Sequence, residues 1–202
     1  MLKIKFPDGA VRSFELHSTP FKIASSISQG LARNIISAEF NGKKIETSTQ
    51  LSEDGDLKFY TWEDKQGKEA FWHSSAHLLA QVLEELYDGI KLTIGPAISN
   101  GFYYDVDFGD QAMSEKDFSK IEKRMIEIAR NKHEFKLRSI SKKEAIDYYS
   151  KNNNQYKVEL IENLDDGEIT FCDHDNFTDL CRGGHIPHTG LIKAVKLMSV
   201  AG

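Results

Sequence analysis

Apolar and polar residues alternate over Leu2–Phe6, and Val11–Leu16 reads as a second strand across the turn-forming run Pro7-Asp8-Gly9, which predicts an opening β-hairpin. Thr19 is a suitable helix N-cap and Pro20 suits the first helical position. The apolar spacing Ile23, Ala24, Ile27 and Leu31 then predicts one helix lying on that sheet. Ile35–Phe40 and Lys43–Ile45 flank Asn41-Gly42, the strongest short hairpin signal, and Leu57–Thr61 supplies a last strand.

The strongest helical pattern spans Glu69–Tyr87. At 100° per residue, Trp72, Ala76, Leu79, Leu83 and Leu86 form one apolar stripe, and Ser74, Gln81, Glu85 and Asp88 mark an opposite face expected to be wet. His73 and His77 fall on the flank between them, where a helix lining a cleft would place groups that need a dry wall and access to solvent. Further on, Lys91–Ile98 and Gly101–Phe108 read as strands, and Ser114–Asn131 as a helix capped by Ser114 with Phe118, Ile121, Met125 and Ile128 inward. A helix is expected within Lys142–Lys157, then strands at Ile169–Phe171, Asn176–Thr178 and Ala194–Leu197.

The β-β-α-β-β order of residues 1–62 around one helix is that of a ubiquitin-like β-grasp, and the polar run Glu63–Lys68 reads as a linker into a second domain over residues 63–202. With 202 residues, 40% of them hydrophobic, the chain can bury one good core or two modest ones. The longest apolar run is short and the N-terminus is strand-like, so neither a signal peptide nor a membrane span is expected; the expected location is cytoplasmic. Two cysteines, Cys172 and Cys181, make a disulfide framework an unsuitable reading and leave Cys181 to act as a ligand or polar site residue. A net charge of −5 argues against autonomous, tight nucleic-acid binding, without excluding contact with one end of an RNA held elsewhere. The basic residues of 116–143 are interspersed with Glu and Asp, as on a solvated helix face.

Candidate chemistry is concentrated in His73-Ser-Ser-Ala-His77 and Cys181-Arg-Gly-Gly-His185. On a helix, residues four apart share a face with Cβ atoms about 6 Å apart, close enough to hold one water, one ion or one substrate group. Three imidazoles and a thiol are the inventory of either a transition-metal site or a hydrolytic pocket. His17, His133, His174 and His188 have no comparable setting, and ordinary surface or local roles are expected for them. In Gly101-Phe-Tyr-Tyr-Asp-Val-Asp107, alternation sends Tyr104 to the face opposite Tyr103 and Asp105.

These motifs, with Ile94-Gly-Pro-Ala-Ile-Ser-Asn-Gly-Phe-Tyr-Tyr-Asp105, Tyr156-Lys157 and Thr178-Asp-Leu-Cys-Arg-Gly-Gly-His185, closely resemble the N-terminal region of bacterial-type threonyl-tRNA synthetases. Upstream, Ile4-Lys-Phe-Pro-Asp-Gly9 and Ile23-Ala-Ser-Ser-Ile-Ser28 are similar to the TGS domain of that family. The resemblance implies an α+β protein: a TGS β-grasp domain followed by a two-layer α/β editing domain of the threonyl/alanyl type. It implies hydrolysis of serine misattached to threonine-specific tRNA, with His73 and Lys157 orienting and activating water. His77, Cys181 and His185 would shape the pocket, Tyr104 would contact adenosine or the seryl hydroxyl, and Asp179 would meet the seryl ammonium.

No metal is expected to be needed for editing. The alternative is a zinc hydrolase with His73, His77, Cys181 and His185 as ligands, and a non-catalytic module that binds tRNA ends is a third reading. ATP and another zinc belong to a catalytic domain expected beyond this chain, as does homodimerisation, so the chain is expected to be a fragment. One departure from the family stands at Gly184, where proline is frequent.

Overall fold

A computed structural model describes residues 1–201, which form two compact units. One comprises Met1–Phe71 together with Gly183–Pro187; the other runs over Trp72–Arg182 and resumes at His188.

In the first unit, β1 (Leu2–Lys5) buries Leu2 and Ile4 and exposes Lys3 and Lys5, as its alternation predicts. It pairs antiparallel with β2 (Val11–Phe14) and parallel with β5 (Gly55–Tyr60). Strands β3 (Ser37–Phe40) and β4 (Lys43–Ile45) complete a five-stranded sheet in the order β2-β1-β5-β3-β4. Asn41 and Gly42 both have positive φ, 50° and 78°, as the tight hairpin turn between β3 and β4 requires. Leu2, Ile4, Ile23, Ala38, Phe40, Leu51 and Leu57 form the core, each large aliphatic contributing about 1.5–3 kcal/mol by leaving water.

The expected single helix is two. After α1 (Pro20–Ile27), capped by the Thr19 hydroxyl, Ser28 leaves helical geometry, and its Oγ accepts from the backbone N–H of Gly30 and Leu31 to start α2 (Gln29–Asn34). Serine competes with the helix for backbone partners, which a count of apolar spacing does not register.

The long helix α3 spans Lys65–Leu86. Its predicted wet face is dry over the middle turns: every residue from Ser74 to Leu83 is buried, Ser74 and Gln81 included, whereas Glu85 and Asp88 are open to solvent as expected. Gln81 is accommodated because its Nε2 donates to Asp175 at 3.0 Å and Asn176 at 2.9 Å.

The two strands expected over residues 91–108 are four short ones. β6 (Lys91–Leu92) pairs with β9 (Val106–Asp107), and β7 (Ala97–Ile98) with β8 (Gly101–Phe102); Pro96, which has no N–H to donate, lies between the pairs. The next helix starts as a 3₁₀ turn, Glu115–Asp117, stapled by Asp117 to the N–H and hydroxyl of Ser114, and continues as α4 (Phe118–Arg130). Phe118, Ile121, Met125 and Ile128 are buried as expected. On its polar side Arg124 pairs with Glu85 and Glu127, as a solvated helix face does.

Residues 142–162 hold two helices, α5 (Lys142–Lys151) and α6 (Gln155–Glu162), divided at Asn152–Asn154. A three-stranded antiparallel sheet follows the order β10 (Lys136–Ser139), β11 (Thr170–His174), β12 (Phe177–Leu180). β10 was not expected, since its polar sequence lacks a strand pattern. The strand expected at Ala194–Leu197 does not form: the Leu197 N–H and the Lys196 ammonium both engage Glu122 on α4.

Candidate active site

Five elements of the larger unit deliver side chains to one buried cluster. On α3, His73 and His77 lie one turn apart with ring centroids 4.6 Å from each other. α6 supplies Lys157 from its first turn, whose N–H is capped by the Asn154 side chain; Asn154 also donates to the Leu92 carbonyl, tying α6 to β6. On β12, burial alternates so that Phe177 and Asp179 face inward while Thr178 and Leu180 are partly open. Cys181 continues this strand, its N–H bonded to the Thr170 carbonyl. Tyr104 enters just beyond β8, half-buried between exposed Tyr103 and Asp105, as alternation predicted.

Asp179 is the centre of the cluster. Lys157 Nζ lies 2.6 Å from its Oδ1, the Tyr104 hydroxyl donates to its Oδ2 at 2.5 Å, and His77 Nδ1 lies 3.2 Å from Oδ2. The side chains of Lys157 and Asp179 are only 3% and 4% exposed. Removing two such charges from water costs several kcal/mol per ion, and the loss is offset only with good geometry and further hydrogen bonds. The tyrosines supply these: Tyr149 on α5 accepts from the Leu180 N–H at 2.7 Å and donates to Asp179 Oδ1 at 3.4 Å.

Burial acts to raise the pKa of Asp179, but the Lys157 ammonium and then His77 outweigh it and hold the carboxyl well below its ordinary value. Burial likewise works against a charge on His77, yet Cys181 and Asp179 leave its pKa raised. Burial, reinforced by Asp179, pushes Tyr104 and Tyr149 well above the ordinary phenol value, so both remain donors at neutral pH. Beside the Asp179 pair, His73 Nε2 lies 3.0 Å from Cys181 Sγ. One ligand-type atom from each of His73, His77 and Cys181 lies within 4.8 Å of the others.

The sequence-derived residues His73, His77, Tyr104, Lys157, Asp179 and Cys181 are therefore brought together within one unit. His185 lies in the Gly183–Pro187 segment that belongs to the first unit, with its Nδ1 2.9 Å from the Glu46 carboxylate. Two residues escaped sequence reasoning. Tyr149 reads as core from its spacing to Ala145, and Glu46 reads as a surface residue past β4.

Tyr104 is held by packing as well as by Asp179. A methyl group at Gly95 would collide with its ring. Gly95→Ala is therefore expected to displace the Tyr104 hydroxyl from Asp179 by about 1 Å, a shift large enough to disturb a positioned site group. A fluorescence or NMR probe of Tyr104 that remains as in wild type would contradict this coupling.

Two family models match the chain: the TGS domain over residues 2–61, and the threonyl and alanyl tRNA synthetase second additional domain over residues 169–202. The first match covers β1–β5, and the second begins before β11 and includes Asp179, Cys181 and His185. All 202 residues align with the threonine–tRNA ligases of Flavobacterium psychrophilum at 63% identity and Flavobacterium johnsoniae at 64%. That of Cytophaga hutchinsonii is 54% identical over the same length. The chain belongs to the threonyl-tRNA synthetase family, as its N-terminal TGS and editing-type region. It spans 31% of the length of each of these relatives. The α+β fold expected of this part of a threonyl-tRNA synthetase, a β-grasp unit followed by mixed helices and strands, is the one observed. Among the described residues no helix is long and apolar enough to cross a membrane.

Proposed function

We propose that this chain hydrolyses serine wrongly esterified to threonine-specific tRNA, with water as the nucleophile. The observation that carries the reading is the buried Lys157–Asp179 pair, joined by His77 and Tyr104 and adjoining His73 and Cys181. A fully dry, costly arrangement of charges in a chain with an editing-type domain match is better explained by chemistry than by stability. The need for such a site is physical. Serine lacks one methyl of threonine, and a methyl-sized contact discriminates by only about 10–200-fold, so a second pocket that rejects the larger ester multiplies the selection.

In this reading residues 1–62 are the TGS domain and residues 63–202 the editing domain. The four polar groups around Asp179 fill its acceptor capacity, so the seryl ammonium reaches it by replacing a donor, and Lys157 is the one of matching charge. Lys157, released, then serves the ester carbonyl or the attacking water beside His73, which accepts the water's proton and returns it to the ribose oxygen as the acyl C–O bond breaks, leaving free serine and the tRNA hydroxyl. His77, Cys181 and His185 hold the pocket in shape, and Tyr104 offers its hydroxyl to the seryl hydroxyl or adenosine. No acyl-enzyme is needed, since an ester is already activated towards water. The partner is the acceptor end of the tRNA in the cytoplasm, and dimerisation and ATP chemistry belong to other parts of the whole synthetase.

The test is hydrolysis of seryl- and threonyl-tRNA side by side. With a net charge of −5, the chain is expected to act weakly at low enzyme concentration but to prefer the seryl ester by roughly 10-fold or more. Equal rates on both esters below saturation would sink the two-pocket reading, and no hydrolysis of either would favour a non-catalytic module that binds tRNA ends.

A second reading is favoured by the donor set. His73, His77 and Cys181 suit zinc in kind and spacing, and His185, four residues past Cys181, would complete four ligands. Zinc bound there would lower the pKa of a coordinated water to about 7. Lys157 so close to these groups opposes a second cation, and the proposed mechanism uses the same side chains on substrate and water directly. Activity is accordingly expected to survive exhaustive chelation. Stoichiometric zinc whose removal abolishes turnover, and whose return restores it, would replace activation by His73 with activation by metal.

A further inference from the structure

Within the first unit, the Gly183–Pro187 segment is anchored by a carboxylate. Glu46, one residue past β4, is 4% exposed, and His185 is fully buried. One Glu46 oxygen, Oε1, takes the Gly184 N–H at 3.1 Å and lies 2.9 Å from His185 Nδ1; the other, Oε2, takes the His185 N–H at 3.1 Å. Three donors thus converge on one buried carboxylate from two successive residues. The backbone is shaped for this grip: Gly183 and Gly184 both have φ of 86°, in the left-handed region that favours glycine. The Gly184 Cα also lies against the Lys44 side chain, so that an added Cβ would come within 3.1–3.3 Å of it. A proline at 184 could neither adopt this φ nor donate the N–H.

A neutral imidazole carries its proton on one nitrogen only, and the partner of that nitrogen decides which. A carboxylate at Nδ1 accepts and does not donate, so it holds the proton on Nδ1 and leaves the chemistry of the ring to Nε2. We infer that Glu46 is a positioning residue for His185: its carboxylate selects the Nδ1–H form of the ring and fixes the Gly183–Pro187 segment that carries it, both within the first unit. This rests on the proposed function for its consequence in turnover, but not for the state of the ring.

Two measurements on the whole chain test it. Nitrogen-15 NMR of the histidine rings, with His185 assigned by its loss in His185→Asn, is expected to show a protonated Nδ1 in wild type and a shift towards the Nε2–H form in Glu46→Ala. Glu46→Gln retains the volume but offers one acceptor to three N–H donors. It is expected to lower kcat for seryl-tRNA hydrolysis about tenfold with little change in KM. A wild-type His185 with an unprotonated Nδ1 overturns the inference, as does a folded Glu46→Gln protein with wild-type kcat. Should Glu46→Ala fail to fold, the wild-type ring spectrum and the Glu46→Gln kinetics still decide. If wild type hydrolyses no seryl-tRNA, the proposed function fails, while the ring spectrum, read without substrate, still decides the role of Glu46.

Discussion

Asp179→Ala is expected to destabilise the protein by about 3–5 kcal/mol, because removing one partner of a buried ion pair leaves the other charge in the interior without compensation. The stranded charge is Lys157, 3% exposed, and the same substitution deprives Tyr104, Tyr149 and His77 of their shared acceptor. At roughly 2–4 °C per kcal/mol for a chain of this size, the melting temperature should fall by about 10 °C. The double variant Asp179→Ala/Lys157→Met should recover part of the loss, since an apolar side chain of similar length needs no counter-charge. A single variant that melts with wild type would show that the pair is not held dry. The pH dependence has a definite sign. Because the folded pKa of Asp179 is depressed, its contribution is present at pH above the unfolded value of about 3.9 and is lost as pH falls through the folded one. The gap between wild type and variant should therefore be wide at neutral pH and close only in strong acid.

His73→Ala is expected to lower seryl-tRNA hydrolysis about 100-fold, the usual order for removing a group that transfers a proton or positions water. The fold should survive, because His73 is half-exposed on a helix whose neighbouring turns are buried. Lys157→Ala should lower turnover at least as far, but it also leaves the Asp179 carboxylate buried without its ammonium, so turnover must be compared at temperatures where the variant is folded. His133→Ala is the control. Its Nε2 lies 3.6 Å from Asp175 on a part-exposed side chain, and turnover should not change. Single-turnover rates with seryl-tRNA measure all three, and a wild-type rate in either site variant removes that residue from the chemistry.

Much of the molecule was determined locally and so was legible in the chain. The Asn41-Gly42 turn, the Thr19 cap, the alternation of β1 and the inward face of α4 follow from backbone preference and side-chain period, which neighbours in sequence set by themselves. The histidine pair was equally visible, since a helix fixes the spacing of residues four apart.

Tertiary structure decided what depends on partners distant in sequence. Gln81, on the polar side of α3, is buried because Asp175 and Asn176, over ninety residues away, satisfy it, and no periodicity encodes such a partner. Nor does local propensity distinguish the strand β10, which is polar and exists by pairing with β11, from a loop, or show that residues 194–197 engage Glu122 instead of entering a sheet. The same holds at the site. The family resemblance proposed Asp179 and Lys157, but their mutual contact at 2.6 Å, the service of Tyr149 to both Leu180 and Asp179, and, in the first unit, the hold of Glu46 on His185 join positions 22 to 139 residues apart. Electrostatic pairing and hydrogen bonding act through space, and only the folded chain sets those distances.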